Sequence, residues 1–287
     1  MVAVGDLHSD YPQAIKVLML AGVVNDKGDW IGGTDTLVQT QWIRASPAAA
    51  ADPETRVVEP DLVDRGPDTI KVYNLFDNLC KQAKAAGGQV VNLYGNHEVM
   101  NIGQDLRYVT EEDYASFGGR EARRQAFDIQ TGWLGQQIYA NFNLTYIHNG
   151  HTVLSHGDMH PAWAGAGIDK MNHVAREALW NKDYHAPIFR TMGPIWWRGL
   201  AMEEDGSSET CRYVDAVKKA LGVNRLISGH TPQHDKILSR CNGGYMVIDV
   251  GISSYYGAHL AALEIIDNKD GSQTVHALYP GGKILVN

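Results

Sequence analysis

The chain has 287 residues, 44% of them hydrophobic and 20% charged, a balance typical of a globular protein with a sizeable core. Its formal net charge of -8, with no basic run, argues against a nucleic-acid-binding protein. No apolar stretch approaches the length of a membrane span, and the N-terminus does not have the composition of a signal peptide. We therefore expect a cytoplasmic protein, or an organellar or secreted one if a targeting segment precedes Met1.

The three cysteines are Cys80, Cys211 and Cys241, too few for a disulfide framework, and no Cys-x-x-Cys pair occurs. Free thiols in a reducing compartment are the expected state. A Cys211–Cys241 bridge is the alternative, because both residues lie in polar segments of turn-like composition.

The chain begins with a predicted strand, loop and helix. Residues 1–4 are apolar, Gly5-Asp6-Leu7-His8 follows directly, and apolar residues recur at helical spacing over residues 11–21. Side chains two positions apart at a strand end share a face, so Asp6 and His8 can contact one cation. Such a pair alone is weak support for a metal site.

A second strand is predicted over residues 36–40. The segment Gln41–Pro60 that follows has no clear periodicity and is typical of a loop insertion or a disordered segment. Directly after it come Asp61, Asp64 and Arg65. Asp61 suits a cation, Asp64 can orient a proton-transfer group, and Arg65 offers a planar fork for a phosphate.

A helix over residues 68–86 and a strand over 90–94 are predicted next, and Gly95-Asn96-His97-Glu98 follows that strand. Asn96 suits a hard or borderline metal ion. His97 is a candidate general acid, with Asp64 as its orienting carboxylate.

Residues 103–145 have an amphipathic helical pattern that is interrupted at Gly118-Gly119. The three arginines of this region are most simply interpreted as a solvated helix face: Arg120, Arg123 and Arg124. A hairpin with its turn at Asn149-Gly150 is predicted after it, and the second strand of that hairpin ends at His156.

The last third of the chain contains two more candidate groups. Arg198 stands beside two tryptophans in the segment 193–199, a setting that suits a phosphate-binding fork. His230 lies in the loop that follows a strand predicted over 225–228. Helices are predicted over 171–180 and 213–221. Residues 244–286 alternate apolar and polar side chains, which predicts several antiparallel strands.

Five strand ends thus carry metal ligands or phosphate-binding groups, and their coincidence in one chain is hard to obtain by chance. They are Asp6/His8, Asp61/Asp64/Arg65, Asn96/His97, His156 and His230. A mixed set of Asp, His and Asn suits Mn, Fe or Zn. Six ligands exceed the needs of one open ion but suit two ions, roughly 3.5–4 Å apart, that share a carboxylate and clamp a phosphate.

The order of these motifs resembles the phosphoprotein phosphatase group of the calcineurin-like metallophosphoesterases. Within that group the chain is most similar to the Shewanella-like (bacterial-type) protein phosphatases, and the similarity covers nearly the whole chain. The forms Asp64-Arg65-Gly66 and Gly95-Asn96-His97-Glu98 separate this group from the wider superfamily. The segment 193–199 looks like the Arg-bearing segment of the subfamily.

The resemblance implies a role for each matching residue. Asp6, His8 and Asp61 would hold one metal ion, and Asp61 would bridge to a second ion held by Asn96, His156 and His230. The following groups would act on the substrate: His97 with Asp64 as proton donor, and Arg65 and Arg198 as phosphate ligands. The implied reaction is attack on phosphorus by a metal-bridging hydroxide, without a covalent intermediate.

Two departures from the family pattern bear on function. Many serine/threonine members have Arg at the position of Tyr94, which leaves room here for phosphotyrosine, and Arg123 is a candidate for the missing phosphate contact. The family also has Gln-Thr-Gly-Asp on one strand, whereas here Gln39-Thr40 and Asp61 are separated by the segment Gln41–Pro60.

We therefore expect one α/β domain over residues 1–287, a four-layer sandwich of two mixed sheets flanked by helices. Its expected function is hydrolysis of phosphomonoesters on phosphoproteins or phosphopeptides, at serine/threonine or tyrosine, with no nucleic-acid partner and an undetermined oligomeric state. One alternative is hydrolysis of dinucleoside polyphosphates or another small phosphoester. The other alternative is a phosphoprotein-binding module that is inactive because of the insertion.

Overall fold

The computed structural model describes residues 1–40, 63–203 and 208–286. The predicted insertion Gln41–Pro60 and the predicted bridging ligand Asp61 lie outside these ranges. No helix of the described residues is long and apolar enough to cross a membrane.

The strands form two sheets, and each sheet contains both parallel and antiparallel pairs. The first sheet comprises β1 (Val2–Val4), β2 (Thr36–Gln39), β3 (Gln89–Leu93), β4 (Phe142–Asn143), β10 (Ala262–Asp267), β11 (Gln273–Tyr279) and β12 (Gly282–Leu285). Its order is β12-β11-β10-β1-β2-β3-β4, parallel from β1 to β4 and antiparallel from β1 to β12.

The second sheet comprises β5 (Thr145–His148), β6 (Thr152–Ser155), β7 (Arg225–Ser228), β8 (Leu238–Arg240) and β9 (Tyr245–Val247). Its order is β5-β6-β7-β9-β8, in which β6, β7 and β9 run parallel. Because the carboxyl ends of parallel strands share one edge of a sheet, the loops after β1 and β3 lie at one edge of the first sheet, and those after β6, β7 and β9 lie at one edge of the second. The two edges face each other, since Asn96 after β3 contacts His156 after β6.

The helices of the described ranges are α1 (Tyr11–Leu20), α2 (Thr69–Ala85), α3 (Asn96–Ile102), α4 (Glu111–Ser116), α5 (Arg120–Ala126), α6 (Trp133–Asn141), α7 (Pro161–Ala164), α8 (Ile168–Trp180), α9 (Gly199–Met202) and α10 (Ser208–Leu221). Helix α2 packs on β3 and on α1, whereas α8 and α10 pack on β5 and β7. The predicted architecture, two mixed sheets flanked by helices, is confirmed.

Local sequence explains where the first helix begins. Pro12 lies in its first turn, and the Asp10 carboxylate accepts a hydrogen bond from the Gln13 backbone N–H (3.1 Å). This places the buried residues Ala14 and Val17 against the core. The chain therefore turns immediately after the loop that carries Asp6 and His8.

Three sequence-based predictions need correction. In the region 103–145 the interruption predicted at Gly118-Gly119 is confirmed, since it lies between α4 and α5, but a further break separates α5 from α6, and residues 142–143 form β4. Strand β9 is not part of an antiparallel tail but pairs in parallel with β7 in the second sheet. Alternation of apolar residues indicates a strand but cannot show which neighbour it pairs with.

The expected free thiols at Cys211 and Cys241 are the third correction. These residues form a disulfide, with 5.4 Å between their Cα atoms, that joins α10 to the turn after β8. Cys80 is the free cysteine of the described residues. The pairing is set by the approach of a helix to a strand turn, which sequence spacing does not reveal.

Candidate active site

Four loops that follow parallel strands bring a set of metal-type ligands together. The Asn96 Oδ1 atom lies 3.0 Å from His156 Nε2, and His156 Nε2 lies 2.9 Å from His230 Nδ1. An ion bound at about 2.1 Å to ligands at right angles separates the ligand atoms by about 3.0 Å. These three side chains are wholly buried. The spacing therefore fits one coordination sphere.

The histidines have the protonation state that metal ligands need. Burial lowers the pKa of His156 and of His230 well below the usual value, so both rings are neutral near pH 7. His230 Nε2 lies 3.0 Å from the Trp196 carbonyl oxygen and donates to it, which leaves the lone pair on Nδ1, toward His156. Backbone support of this kind orients metal-binding histidines.

Two buried carboxylates complete this side of the site. Asp6 Oδ2 accepts a hydrogen bond from the His230 backbone N–H at 3.2 Å, and Asp249 Oδ1 accepts one from the Gly251 N–H at 2.9 Å. Their other oxygens, Asp6 Oδ1 and Asp249 Oδ2, are buried and have no hydrogen-bond partner within the described ranges. Burial raises the pKa of both groups well above the usual value, and the charge of Asp249 further raises the pKa of Asp6.

A cation would supply the missing interaction for these oxygens, so the donor set fits a metal centre. His8 is wholly buried, and its ring lies 5.1 Å from the Tyr256 ring. Within the described part of the chain no three His, Cys, Asp or Glu side chains are placed as a ready cluster. The ligand atoms that converge include the side-chain amide of Asn96, which is not one of these residue types. Asp61 lies outside the described ranges.

Sequence reasoning missed Asp249. It stands directly after the apolar run Tyr245–Ile248, the same strand-end position as the other ligands. Gly5 is required opposite it, because a Cβ at Gly5 would lie 2.7 Å from the Ile248 carbonyl oxygen and 3.0 Å from the Asp249 Cα. The position of Asp249 at a strand end could be seen in the sequence, but Asp249 belongs to none of the motifs named above.

The predicted proton-transfer pair is formed. His97 Nδ1 lies 2.5 Å from Asp64 Oδ2, and both side chains are wholly buried. Burial raises the pKa of Asp64 to about 6, against the lowering effect of the Arg123 guanidinium. Burial also lowers the pKa of His97 well below its usual value. The Tyr108 ring stacks on His97 at 5.0 Å between centroids.

The loop that carries Asp64 is tightly constrained. Asp64 and Arg65 have φ values of 70° and 68°, the left-handed region that side-chain-bearing residues rarely adopt. A Cβ at Gly66 would collide with the carbonyl oxygens of His8 and Ser9. The loop after β2 and the loop after β1 are therefore in direct backbone contact, which accounts for the glycine after Asp64-Arg65.

The predicted role of Arg123 as a phosphate contact is wrong. Its side chain is 0% exposed, and its guanidinium donates to Asp64 Oδ1 (3.1 Å), to Asp113 Oδ2 (2.9 Å) and to the Asn101 side-chain oxygen. A guanidinium with these partners lies behind Asp64 and does not face a substrate. The interpretation of a solvated helix face holds for Arg120 and Arg124, which are exposed.

Arg65 lies between two aromatic rings. Its Cζ atom is 4.5 Å from the centroid of Tyr108 and 5.1 Å from that of Tyr255, and its Nη1 donates to the Tyr255 hydroxyl at 3.1 Å. Tyr255 is 46% exposed. Arg65 is thus held at the edge of the site with its guanidinium between aromatic walls.

Arg198 reaches the metal side of the site. It donates to the His230 carbonyl oxygen, whereas its Nη2 atom is buried and has no hydrogen-bond partner in the described residues. Burial lowers its pKa to about 10, so it is a cation at neutral pH. Of the two neighbouring tryptophans, Trp196 packs against the His230 ring and Trp197 against the His160 ring.

Asp158, two residues after His156, holds the segment that presents Arg198. Its carboxylate accepts hydrogen bonds from the Leu200 and Ala201 backbone N–H groups, at 2.8 and 3.0 Å, at the start of α9. The Ser228 hydroxyl also donates to it at 2.8 Å. A buried carboxylate at this helix start therefore sets the position of the preceding residue, Arg198.

The remaining motif residues are structural in character. Glu98 accepts hydrogen bonds from the Gly95 N–H (2.8 Å) and the Tyr73 hydroxyl (3.1 Å), and burial raises its pKa to about 8. Tyr94 is 0% exposed and stacks on Phe142 with 6.4 Å between ring centroids. Tyr94 therefore belongs to the core and does not contact a substrate in place of an arginine.

A cleft of about 330 Å³ opens beside the site. It reaches from Asn96 and Trp196 to the exposed side chains of Arg107, His185 and Arg190. The cleft therefore extends from the candidate ligand Asn96 to the protein surface.

The chain is similar to several known proteins. A profile of the calcineurin-like phosphoesterase family matches residues 1–234. An uncharacterized protein of Schizosaccharomyces pombe is 37% identical over 97% of this chain and 80% of its own length. Shewanella-like protein phosphatase 2 of Arabidopsis thaliana is 25% identical over 88% of this chain and 71% of its own length.

A solved structure has the same fold. The cold-active protein-tyrosine phosphatase of a psychrophilic Shewanella species is 23% identical to this chain and superimposes on it with a TM-score of 0.78. The match covers 100% of this chain and 80% of the phosphatase. The resemblance to Shewanella-like phosphatases that the motifs predicted is thereby confirmed. The chain belongs to the calcineurin-like phosphoesterase family, as a metallophosphoesterase with Shewanella-like phosphatase relatives.

Proposed function

We propose that this protein hydrolyses phosphomonoesters on phosphoproteins with the help of two metal ions, Mn, Fe or Zn. The observation that carries the proposal is the convergence of Asn96, His156 and His230 beside the Asp64–His97 pair. Ligands for two ions, a proton donor and phosphate-binding cations are the parts that direct phosphoester hydrolysis needs.

The ion-binding roles in this proposal are those that the family resemblance implies. Asp6 and His8 would hold the first ion together with Asp61, and Asp61 would be shared with the second ion. Asn96, His156 and His230 would hold that second ion. When bound, such ions generate a nucleophile from water at neutral pH and stabilise negative charge on a phosphoryl group.

The protein's own side chains bind the phosphate and move the proton. Arg198 Nη2, a buried donor in need of an acceptor, and the Arg65 fork would bind the phosphate oxygens. His97 would protonate the leaving oxygen from Nε2, the ring nitrogen opposite its bond to Asp64. The Asp64 carboxylate at Nδ1 would stabilise the protonated ring that this role requires.

The aromatic walls favour an aryl phosphate. A phosphate bound at Arg65 would bring its ester group between Tyr108 and Tyr255, where a phenyl ring gains stacking contacts that an alkyl chain does not. Within the proposed function we therefore expect phosphotyrosine to be preferred over phosphoserine. The solved relative described as a protein-tyrosine phosphatase supports the same choice.

The test is phosphate release by the purified chain before and after treatment with a chelator, with Mn or Zn restored in separate samples. Paired peptides that differ only in phosphotyrosine or phosphoserine, together with a dinucleoside polyphosphate, are the substrates. Metal-dependent release that is fastest from the phosphotyrosine peptide supports the proposal. Faster hydrolysis of the nucleotide would replace it with the small-phosphoester alternative.

A second chain, in which Gln41–Pro60 is replaced by one Gly, tests the inactive-module alternative. Activity in both chains shows that the natural chain is a working enzyme. Activity in the shortened chain alone supports the phosphoprotein-binding module. Bound metal without hydrolysis of any substrate by either chain would contradict the assigned site.

A further inference from the structure

We infer that Arg123 is a positioning residue for proton transfer: it fixes the Asp64 carboxylate from behind, so that His97 is aimed at the leaving oxygen. This inference rests on the proposed function, since it concerns the proton donor of the same site. It assigns a catalytic consequence to a residue that does not reach the substrate.

The Asp64 carboxylate is held on both of its oxygens. Oδ1 accepts from Arg123 Nη2 at 3.1 Å, and Oδ2 accepts from Asn101 Nδ2 at 3.0 Å and from His97 Nδ1 at 2.5 Å. Three donors in fixed directions define the plane of a carboxylate, and the plane of Asp64 defines the orientation of the His97 ring.

Arg123 is itself immobilised. Asp113 accepts its Nε–H at 2.9 Å, and the Thr69 hydroxyl (2.9 Å) and backbone N–H (3.3 Å) bind the same carboxylate from α2. The Arg123 Cζ atom lies 4.7 Å from the Phe127 ring centroid and 5.3 Å from that of Phe117. The guanidinium therefore has one available position, and it transmits the placement of α2, α4 and α5 to Asp64.

The backbone at Asp64 makes this support necessary. Two successive side-chain-bearing residues, Asp64 and Arg65, hold left-handed φ values of 70° and 68°. Such conformations persist only where the surroundings over-determine them. Without the fork of Arg123, the Asp64 side chain can rotate about its own bonds, and the His97 ring loses its fixed partner.

Stability alone does not account for the arrangement. A buried ion pair is often no more stabilising than apolar residues of the same shape, because two charges must be removed from water. A planar guanidinium fixes the direction of the carboxylate, which an apolar residue or a point charge does not do. The effect of Arg123 is therefore on the geometry of Asp64 and His97.

The experiment compares metal-loaded wild-type protein with Arg123→Lys, which keeps the charge and loses the fork. The substrates are p-nitrophenyl phosphate, with a good leaving group, and phenyl phosphate, with a poor one that needs protonation. Because general acids contribute about 10²–10⁴-fold, we expect kcat/KM to fall about tenfold or more for phenyl phosphate and less than about threefold for p-nitrophenyl phosphate.

His97→Ala is the reference and Arg124→Lys the matched control. We expect His97→Ala to show a larger loss with the same bias toward phenyl phosphate, and Arg123→Lys to add no further bias in the double variant. Arg124 is exposed on the same helix and donates to Gln104 Oε1 at 2.7 Å, so its lysine variant should match the wild type.

Asp113→Asn is a second variant, in case Arg123→Lys does not fold. It weakens the support behind Arg123 while Arg123 keeps its bond to Asp64, and we expect a smaller bias of the same direction. Metal content and thermal unfolding are measured for every variant. A loss of metal or of stability would lower the activity on both substrates alike, because the two substrates are of similar size.

Equal losses on both substrates, or additive effects in the double variant, would overturn the inference and leave Arg123 with a role in folding only. In that case wild-type hydrolysis of both substrates would still uphold the proposed function. Wild-type protein that is loaded with metal and hydrolyses neither substrate would overturn the proposed function and the inference with it.

Discussion

The two halves of the site differ in how their buried charges are satisfied. On the side of His97, the protein supplies every partner of the Asp64 carboxylate, from Arg123, Asn101 and His97 itself. On the side of His230, the oxygens Asp6 Oδ1 and Asp249 Oδ2 are buried without a hydrogen-bond partner in the described ranges. Within the described residues, the chain's own groups satisfy the first half, whereas the second half leaves two oxygens that a bound cation would satisfy.

The difference has a physical reason. A proton donor must keep one orientation through the reaction, and fixed hydrogen bonds provide that orientation. A metal site must leave ligand atoms available, and their mutual repulsion is relieved only when the ion binds. The same chain therefore contains a satisfied cluster and an unsatisfied one next to each other.

The largest expected effect comes from the unsatisfied half. His156→Ala should lower metal content and reduce kcat/KM by at least about 10³-fold, because a Lewis acid contributes several kcal/mol to phosphoryl transfer. Metal analysis and p-nitrophenyl phosphate turnover check this. His173→Ala is the control, since the His173 side chain is 69% exposed and contacts Glu177 on the same helix. Full turnover in His156→Ala would contradict the ligand assignment.

The comparison can be sharpened by changing one buried polar side chain in each half of the metal-free protein. Arg123→Met leaves Asp64 and Asp113 without their shared cation, and we expect a loss of about 3–5 kcal/mol in the free energy of unfolding. Asp6→Asn replaces a carboxyl group whose Oδ1 has no hydrogen-bond partner in the described residues, and we expect a change of no more than about 1 kcal/mol. Urea denaturation measures both, and similar losses would show that the halves are not different.

A smaller effect is expected at the phosphate ligands. Arg198→Lys keeps the charge but loses the fork, and a charge-assisted hydrogen bond is worth about 1.5–3 kcal/mol, so kcat/KM should fall about ten- to hundredfold. Arg225→Lys is the control, because Arg225 is also half-buried but donates to the Gly243 carbonyl (3.0 Å) and Gln273 Oε1 (2.7 Å). Equal activity of the two variants would exclude Arg198 as a phosphate ligand.

The smallest effect is expected away from both halves. A hydrogen bond from Lys182, 2.8 Å away, together with the Thr131 and Gln130 donors, holds the pKa of Asp128 below its usual value. A carboxylate whose pKa is lowered by folding stabilises the protein above its unfolded pKa, and that contribution disappears as the pH falls through the folded pKa. Asp128→Asn should therefore cost no more than about 1 kcal/mol at pH 7, because the pair is partly screened by solvent.

Thermal unfolding of wild type and Asp128→Asn across pH 2 to 7 checks the sign. The two unfolding curves should approach one another toward the acid end of the range. A difference that grows as the pH falls would contradict the assigned interaction. Asp128→Asn should not differ from the wild type in metal content or turnover.

Local sequence determined much of this protein. The strand-to-loop junctions at Asp6, Asn96, His156 and His230 could be predicted, because apolar periodicity followed by a polar motif is a short-range pattern. The pairing of Asp64 with His97 was likewise predicted from motif chemistry, and the structure places the two atoms 2.5 Å apart. The family and its fold followed from those motifs.

Only the tertiary structure decided which side chains are buried together. Arg123 has the local pattern of a solvated helix residue, but it packs behind Asp64, 59 positions away in the chain. The Cys211–Cys241 disulfide, the parallel placement of β9 and the inclusion of Asp249 also depend on contacts between distant segments. Periodicity reports which face of an element is apolar; the identity of the partner on that face is set by how the whole chain packs.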